Sequence, residues 1–161
     1  MKKSISIIIL FLSVFASQTT VAQVRRGFGI NIGTQPLWGP EGYDRVDYYY
    51  MPDIDVFYNV PNRQYIYLEQ GRWIFARALP SRYHNFDLYS GYKVVVNDYK
   101  PYRNAASYRM KYANYKGNHD QKNIRNSNDL RYFENKDHPK HNKWQNERNK
   151  HNNGKGNNGR H

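Results

Sequence analysis

The stretch that decides the fold begins at Asp53-Ile54-Asp55-Val56-Phe57-Tyr58-Asn59-Val60. It continues through Pro61-Asn62-Arg63, Gln64-Tyr65-Ile66-Tyr67-Leu68-Glu69, Gln70-Gly71 and Arg72-Trp73-Ile74-Phe75-Ala76-Arg77-Ala78. Successive side chains of a strand point to opposite faces, so Ile54, Val56, Tyr58 and Val60 share one face of the first segment. In the second, Ile66 and Leu68 point one way and Tyr65 and Tyr67 the other. Pro61 fixes φ and Asn62 tolerates the left-handed region, which makes 61–63 a turn. Gln70-Gly71 reads as a two-residue hairpin loop with glycine where positive φ is needed. Leu79-Pro80 ends the third segment. The spacing predicts three strands in an antiparallel meander, and with it a mainly β fold class.

Outward from this core the pattern loosens. Tyr48-Tyr49-Tyr50 leads into the first strand, and Tyr92-Lys93-Val94-Val95-Val96 is a further strand. Between them, either Ser81 to Leu88 forms a short helix with Ser81 as N-cap, or Phe86 to Tyr89 pairs with Tyr92 to Asn97 across Ser90-Gly91. Ala105 to Tyr115 has a composition suited to a helix that covers one sheet face. Gly27-Phe28-Gly29-Ile30-Asn31-Ile32-Gly33 alternates small or polar with apolar residues and reads as an edge strand, so residues 23–42 form an N-terminal arm or edge strand. The Tyr-rich β domain spans 43–115.

The ends carry different physics. Lys2-Lys3, the apolar run Ile5 to Phe15, and Thr20-Val21-Ala22 before Gln23 have the three parts of a cleaved secretory signal over residues 1–22. The apolar run is far shorter than the roughly 20 residues of a membrane-spanning helix, so no span remains after the signal is removed. The expected location is the periplasm or the cell surface. Residues 116–161 hold 12 Asn, 5 His, 11 Lys or Arg and 5 Asp or Glu, with Ile124, Leu130, Phe133 and Trp144 as the large apolar side chains. So little apolar area does not offset an ordering entropy of about 1–2 kcal/mol per residue for the backbone alone. This segment is therefore expected to be a disordered basic tail.

Composition excludes several kinds of chemistry. The 161 residues contain no cysteine, so disulfides, zinc–thiolate sites, iron–sulfur clusters and thiol nucleophiles are absent. A net charge of +12 favours anionic partners. Export excludes cytoplasmic nucleic acid among them, and no DNA- or RNA-binding motif is visible. No phosphate-cradling glycine loop or nucleophile elbow is present, so neither a cofactor nor a catalytic residue is expected. An outer-membrane barrel needs at least about eight strands of about 9–11 residues, more than these segments supply.

Two constellations remain as candidate sites. Phe57, Tyr65, Tyr67 and Trp73 lie on neighbouring strands, where facing side chains stand about 4.5–5.5 Å apart, and are the candidate aromatic platform for a ligand. His138, His141 and His151 are candidate weak metal ligands, because neutral imidazole binds zinc, copper or nickel. Asp53 and Asp55 read as solvated strand positions rather than as a catalytic pair.

The run Tyr48-Tyr49-Tyr50-Met51-Pro52-Asp53-Ile54-Asp55-Val56-Phe57-Tyr58 resembles a segment of small exported envelope proteins of Gram-negative bacteria. So do Gln64-Tyr65-Ile66-Tyr67, Gly71-Arg72-Trp73, Leu79-Pro80 and Tyr89-Ser90-Gly91-Tyr92-Lys93-Val94-Val95. The similarity covers about residues 43–112 and its motifs are structural, so it implies export and the sheet and brings no active site. The expected function is a non-catalytic exported envelope protein. It would act by binding or structural association, through an aromatic sheet and a basic tail, with lipid head groups, polysaccharide or another envelope protein as partners. The alternative is a periplasmic metal-buffering or stress protein using the His-rich tail.

Overall fold

The computed structural model describes residues 29–154, with side chains to residue 151. The expected signal at 1–22 and most of the low-complexity run from His151 to His161 lie outside the described residues.

Five strands form one antiparallel sheet: β1 (Tyr48–Met51), β2 (Val56–Asn59), β3 (Gln64–Glu69), β4 (Arg72–Ala76) and β5 (Val94–Val96), in the spatial order β4-β3-β2-β1-β5. The fold is mainly β, as expected, and the β2-β3-β4 meander is present. Glu69 pairs with Arg72 across Gln70-Gly71, whose φ angles of 48° and 75° suit the type I′ loop that follows the twist of the strands.

The first strand differs from expectation. Residues 52–55 are a turn, not strand, because Pro52 lacks the N–H that a continuing ladder needs. Met51 pairs with Val56, so Tyr48-Tyr49-Tyr50-Met51 becomes a separate strand and Asp53 and Asp55 sit in the loop between the two. Asp55 takes the left-handed region at φ 52°.

Alternation sends two different sets of rings to the two faces. Tyr49, Met51, Val56, Tyr58, Tyr65 and Tyr67 form one buried cluster. Tyr50, Phe57, Ile66, Val94 and Val96 form the other. The 77–93 connection must carry the chain from one edge of the sheet to the other, because β5 pairs with β1. On the way it lays Leu79, Tyr83, Phe86 and Leu88 over the first cluster. A short 3-10 helix at Ser81–Tyr83 begins this crossing, and no second hairpin forms. Gly91 is required there, since a Cβ would collide with the Phe86 ring. The second face is covered by a 3-10 turn at Pro101–Asn104 and by helix α1 (Ala105–Lys111), the expected covering helix, shorter than predicted. Tyr102 and Ala105 are buried against that face, with Tyr108 and Tyr112 packed at its margin.

The largest departure is the C-terminal segment. Residues 37–41 and 122–125 run side by side as an antiparallel ribbon. Ile124 N–H donates to Gly39 O at 2.8 Å, Arg125 N–H to Leu37 O at 2.9 Å, and Glu41 N–H to Lys122 O at 3.1 Å. The expected edge strand at 27–33 is absent over its described part, which holds a 3-10 turn at Ile32–Thr34 instead. Ile124 and Tyr132 are fully buried with Ile32 in a third cluster. The expectation of a solvated tail from Lys116 onward therefore fails for the stretch up to His138. Polar anchors supply what apolar area does not. The N–H groups of Gly42 and Tyr43 donate to the Tyr132 hydroxyl at 2.6 and 3.1 Å, and Asn135 Nδ2 donates to Gln35 O at 2.7 Å. Helix α2 (His141–Gly154) follows, polar on all sides apart from Trp144.

Candidate functional site

The four residues of the expected platform do not share a surface. Tyr65 and Tyr67 face the first cluster, whereas Phe57 and Trp73 belong to the second, on the opposite side of the sheet. Phe57 is fully buried, and Tyr65 and Tyr67 nearly so. Trp38 from the arm caps the tyrosines, with ring centroids 4.8 Å from Tyr58 and 6.5 Å from Tyr65. Burial pushes the Tyr65 phenol up to about 12. Trp73 is half-buried against Tyr102 at 5.4 Å. Phe57, Tyr65 and Tyr67 are core, because crossing segments cover one face and the middle of the other, while Leu68 and Phe75 near the β4 edge stay about half exposed. The platform expectation is corrected accordingly.

The histidines are likewise occupied. His138 is buried, its Nε2–H reaches Ile124 O at 3.2 Å, and its Nδ1 accepts the Lys140 N–H at 3.1 Å. Burial lowers its basicity. His141 Nδ1 faces Phe133 O at 2.7 Å, and His151 is exposed on α2. Among the described residues no three His, Cys, Asp or Glu side chains stand where they would hold a metal together. His138 and His141 are structural: each fastens one backbone carbonyl of the C-terminal segment.

The acids near the strands are structural too. Asp53 Oδ1 accepts the Gly117 N–H at 2.7 Å, while its Oδ2 is buried without a hydrogen-bond partner. Asp55 accepts from Arg109 Nε at 3.1 Å and from the Tyr50 hydroxyl at 3.0 Å. Lys93, nearly fully buried, places its ammonium 6.0 Å from the centre of the Trp38 ring. Burial drives its pKa down to about 8, opposed by the charges of Asp87 and Asp53. His84, another titratable group of the 77–93 crossing, faces Ser81 O through Nδ1 at 2.8 Å.

Two of the open concavities among the described residues bear on a binding site. The larger, about 940 Å³, lies between the 87–90 loop and the C-terminal ribbon and is lined by Glu41, Asp87, Asp120 and Asp129 among amides and Tyr132. Two of these acids serve the backbone: Asp87 accepts the Tyr89 N–H at 2.8 Å, and Asp129 accepts the Arg131 N–H at 3.0 Å. The smaller, about 530 Å³, runs between the end of β5, the Pro101–Asn104 turn and α1. Lys100, Arg103 and Lys111 stand on its walls beside Tyr99, Tyr108 and Tyr112.

This second groove belongs to the most unusual stretch of the chain. Residues 99–119 contain five tyrosines and five Lys or Arg, with neither Asp nor Glu. Tyr102 faces inward and pins the stretch to the sheet, while Tyr99 stays 68% exposed and Tyr115 38%. Arg109 is consumed by Asp55. The interleaving of cations with rings was visible in the sequence. The signal that hides it is the helical period, which separates the neighbours Tyr108 and Lys111 in number while stacking them on adjoining faces. No protein family, curated protein or solved structure matches the chain.

Proposed function

We propose that the protein is a non-catalytic component of the bacterial envelope, exported by its N-terminal segment, that holds an anionic envelope partner against its cationic surface. The observation that carries this reading is the 99–119 stretch: it holds no acidic residue, and four of its five cations, all but Arg109, have no carboxylate partner among the described residues. Positive charge on a surface attracts polyanions such as acidic polysaccharide or lipid head groups. Rings beside the cations add contact area with a polar tip. The burial of the expected platform and the structural roles of His138 and His141 favour this surface over those two expected sites. The export signal and the resemblance to small envelope proteins support the location. No helix among the described residues is long and apolar enough to cross a membrane.

Titration of the full chain with acidic and neutral polysaccharides of matched length tests the proposal. The acidic polymer binds more tightly, and its affinity falls steeply as salt rises toward physiological strength, where the screening length is about 8 Å. Equal, salt-insensitive binding of both polymers would contradict it. Cell fractionation that leaves the protein in the cytoplasm would contradict the location.

A further inference from the structure

Resting on that reading, we infer that the groove between β5 and α1 is a binding subsite for an acidic sugar residue, with Arg103 and Lys111 holding its carboxylate and the neighbouring tyrosines its ring. The groove's volume of about 530 Å³ lies within the roughly 300–1,000 Å³ of small-molecule clefts. Its chemistry is mixed in the manner such a ligand needs. Cations meet the carboxylate, aromatic rings line the wall beside it, and Asn104 and Ser107 offer an amide and a hydroxyl to the sugar's hydroxyls.

Charge in the groove is available for a ligand. Among the described residues, none of Lys100, Arg103 and Lys111 has a carboxylate partner. Lys100 Nζ lies 5.0 Å from the centre of the Tyr99 ring, and Lys111 Nζ lies 5.2 Å from that of Tyr112, so each cation stands beside an aromatic face. The one acid in the groove, Asp98, is held by the Tyr108 hydroxyl. It accepts hydrogen bonds and leaves a net positive site.

Backbone conformation points to the same place. Lys100 occupies the left-handed region at φ 48° and ψ 56°, immediately before Pro101. The other non-glycine residues with positive φ among the described residues, Asp55, Arg63 and Gln70, lie in loops that join paired strands, where hairpin geometry demands it. Lys100 closes no hairpin. A β-carbon in this region is strained, and residues in such conformations concentrate at ligand sites. Here the strained backbone belongs to a lysine of the groove wall.

The test is calorimetric titration of the full chain with an oligogalacturonate and with a neutral maltooligosaccharide of equal length, beside phosphatidylglycerol vesicles. Met110, 77% exposed on α1, makes the vesicle arm necessary. The oligogalacturonate binds and the neutral sugar does not. Arg103→Gln and Lys111→Gln each weaken binding about tenfold, the loss of one charge-assisted hydrogen bond, while Lys143→Gln on α2 leaves it unchanged. Lys100→Asn, whose side chain tolerates the left-handed region, weakens binding without lowering the melting temperature; a merely structural lysine would not separate the two readouts. If the acidic sugar binds but Arg103→Gln and Lys111→Gln do not weaken it, or Lys143→Gln weakens it equally, the groove is overturned and the cationic-surface reading stands. Binding of vesicles without binding of the sugar overturns the sugar and leaves an anionic lipid as the partner. Binding of none of these at low salt overturns this inference and the proposed function together.

Discussion

The sheet and the C-terminal segment solve the same problem with different currencies of interaction. Between β1 and β4, order comes from rings and aliphatic chains buried on both faces, with Tyr49, Tyr50, Met51, Val56 and Phe57 fully enclosed. Between Lys122 and His138 the large buried apolar side chains are few, and Tyr132, Asn135 and His138 are each tied by a hydrogen bond to a backbone group at least 14 residues away. Tyr132 receives two N–H groups from the arm, Asn135 reaches Gln35 O, and His138 reaches Ile124 O. The lesson is that hydrophobic composition underestimates order wherever a handful of buried polar groups each satisfy a backbone partner that would otherwise be orphaned.

Removing a ring from the sheet has the largest expected effect. Phe57→Ala deletes a fully buried side chain shared by β1, β3 and α1, and costs about 3–5 kcal/mol in chemical denaturation. A loss below about 1 kcal/mol would mean that the second face is not a packed core. Tyr132→Phe keeps the ring and removes the hydroxyl that accepts from Gly42 and Tyr43. The expected cost is about 1–3 kcal/mol, from the donors left unpaired. Comparing the two variants by hydrogen exchange sharpens the contrast: Phe57→Ala loosens the whole sheet, whereas Tyr132→Phe loosens the arm and the C-terminal ribbon first.

How much of this was legible depended on which signal each segment carries. Alternation placed Ile54, Val56, Tyr58 and Val60 together, and they share the first cluster. It also set Ile66 against Tyr65 and Tyr67, as observed. Strand β1 was not legible as a separate strand, because a strand covered on both faces has no alternation to read and Tyr48-Tyr49-Tyr50-Met51 is uniformly aromatic or apolar. The same double coverage removed the platform at Phe57, Tyr65, Tyr67 and Trp73: the sequence marks which residues share a face, but not what lies over it. The polar anchors of Tyr132, Asn135 and His138 act over separations of 14 to 100 residues, which local pattern does not reveal. The groove was missed: Ala105 to Tyr115 reads as a covering helix, and the cation–tyrosine run from Tyr99 to Lys116 gains meaning only once that helix sets it beside the end of β5.

A smaller effect separates the two regions by pH. Burial depresses His138 below the ordinary histidine value of about 6.5. Below that pH the unfolded chain binds a proton that the folded chain resists, so the folded state loses stability as pH falls and holds its full stability above it. The slope contributed is at most about 1.4 kcal/mol per pH unit. Denaturation midpoints between about pH 4 and 8 should show the slope in the native chain and a shallower one in His138→Gln. An unchanged slope would place the buried proton elsewhere. The smallest effect lies in the meander. Gln70→Asn suits the left-handed first position of the type I′ loop at φ 48° and gains up to about 1 kcal/mol, read as a modest rise in melting temperature. A fall would mean that the Gln70 side chain contributes more than its backbone strain costs.

Amide hydrogen exchange on the full chain, resolved to single residues, tests the central contrast most directly. The N–H groups of Ile124 and Arg125, bonded to Gly39 O and Leu37 O, should exchange slowly, within about tenfold of the strand amides of Ile66 and Tyr58. Exchange of Ile124 and Arg125 at the rate of an unstructured peptide, with the sheet still protected, would show that the last third of the chain is the solvated tail its composition suggests.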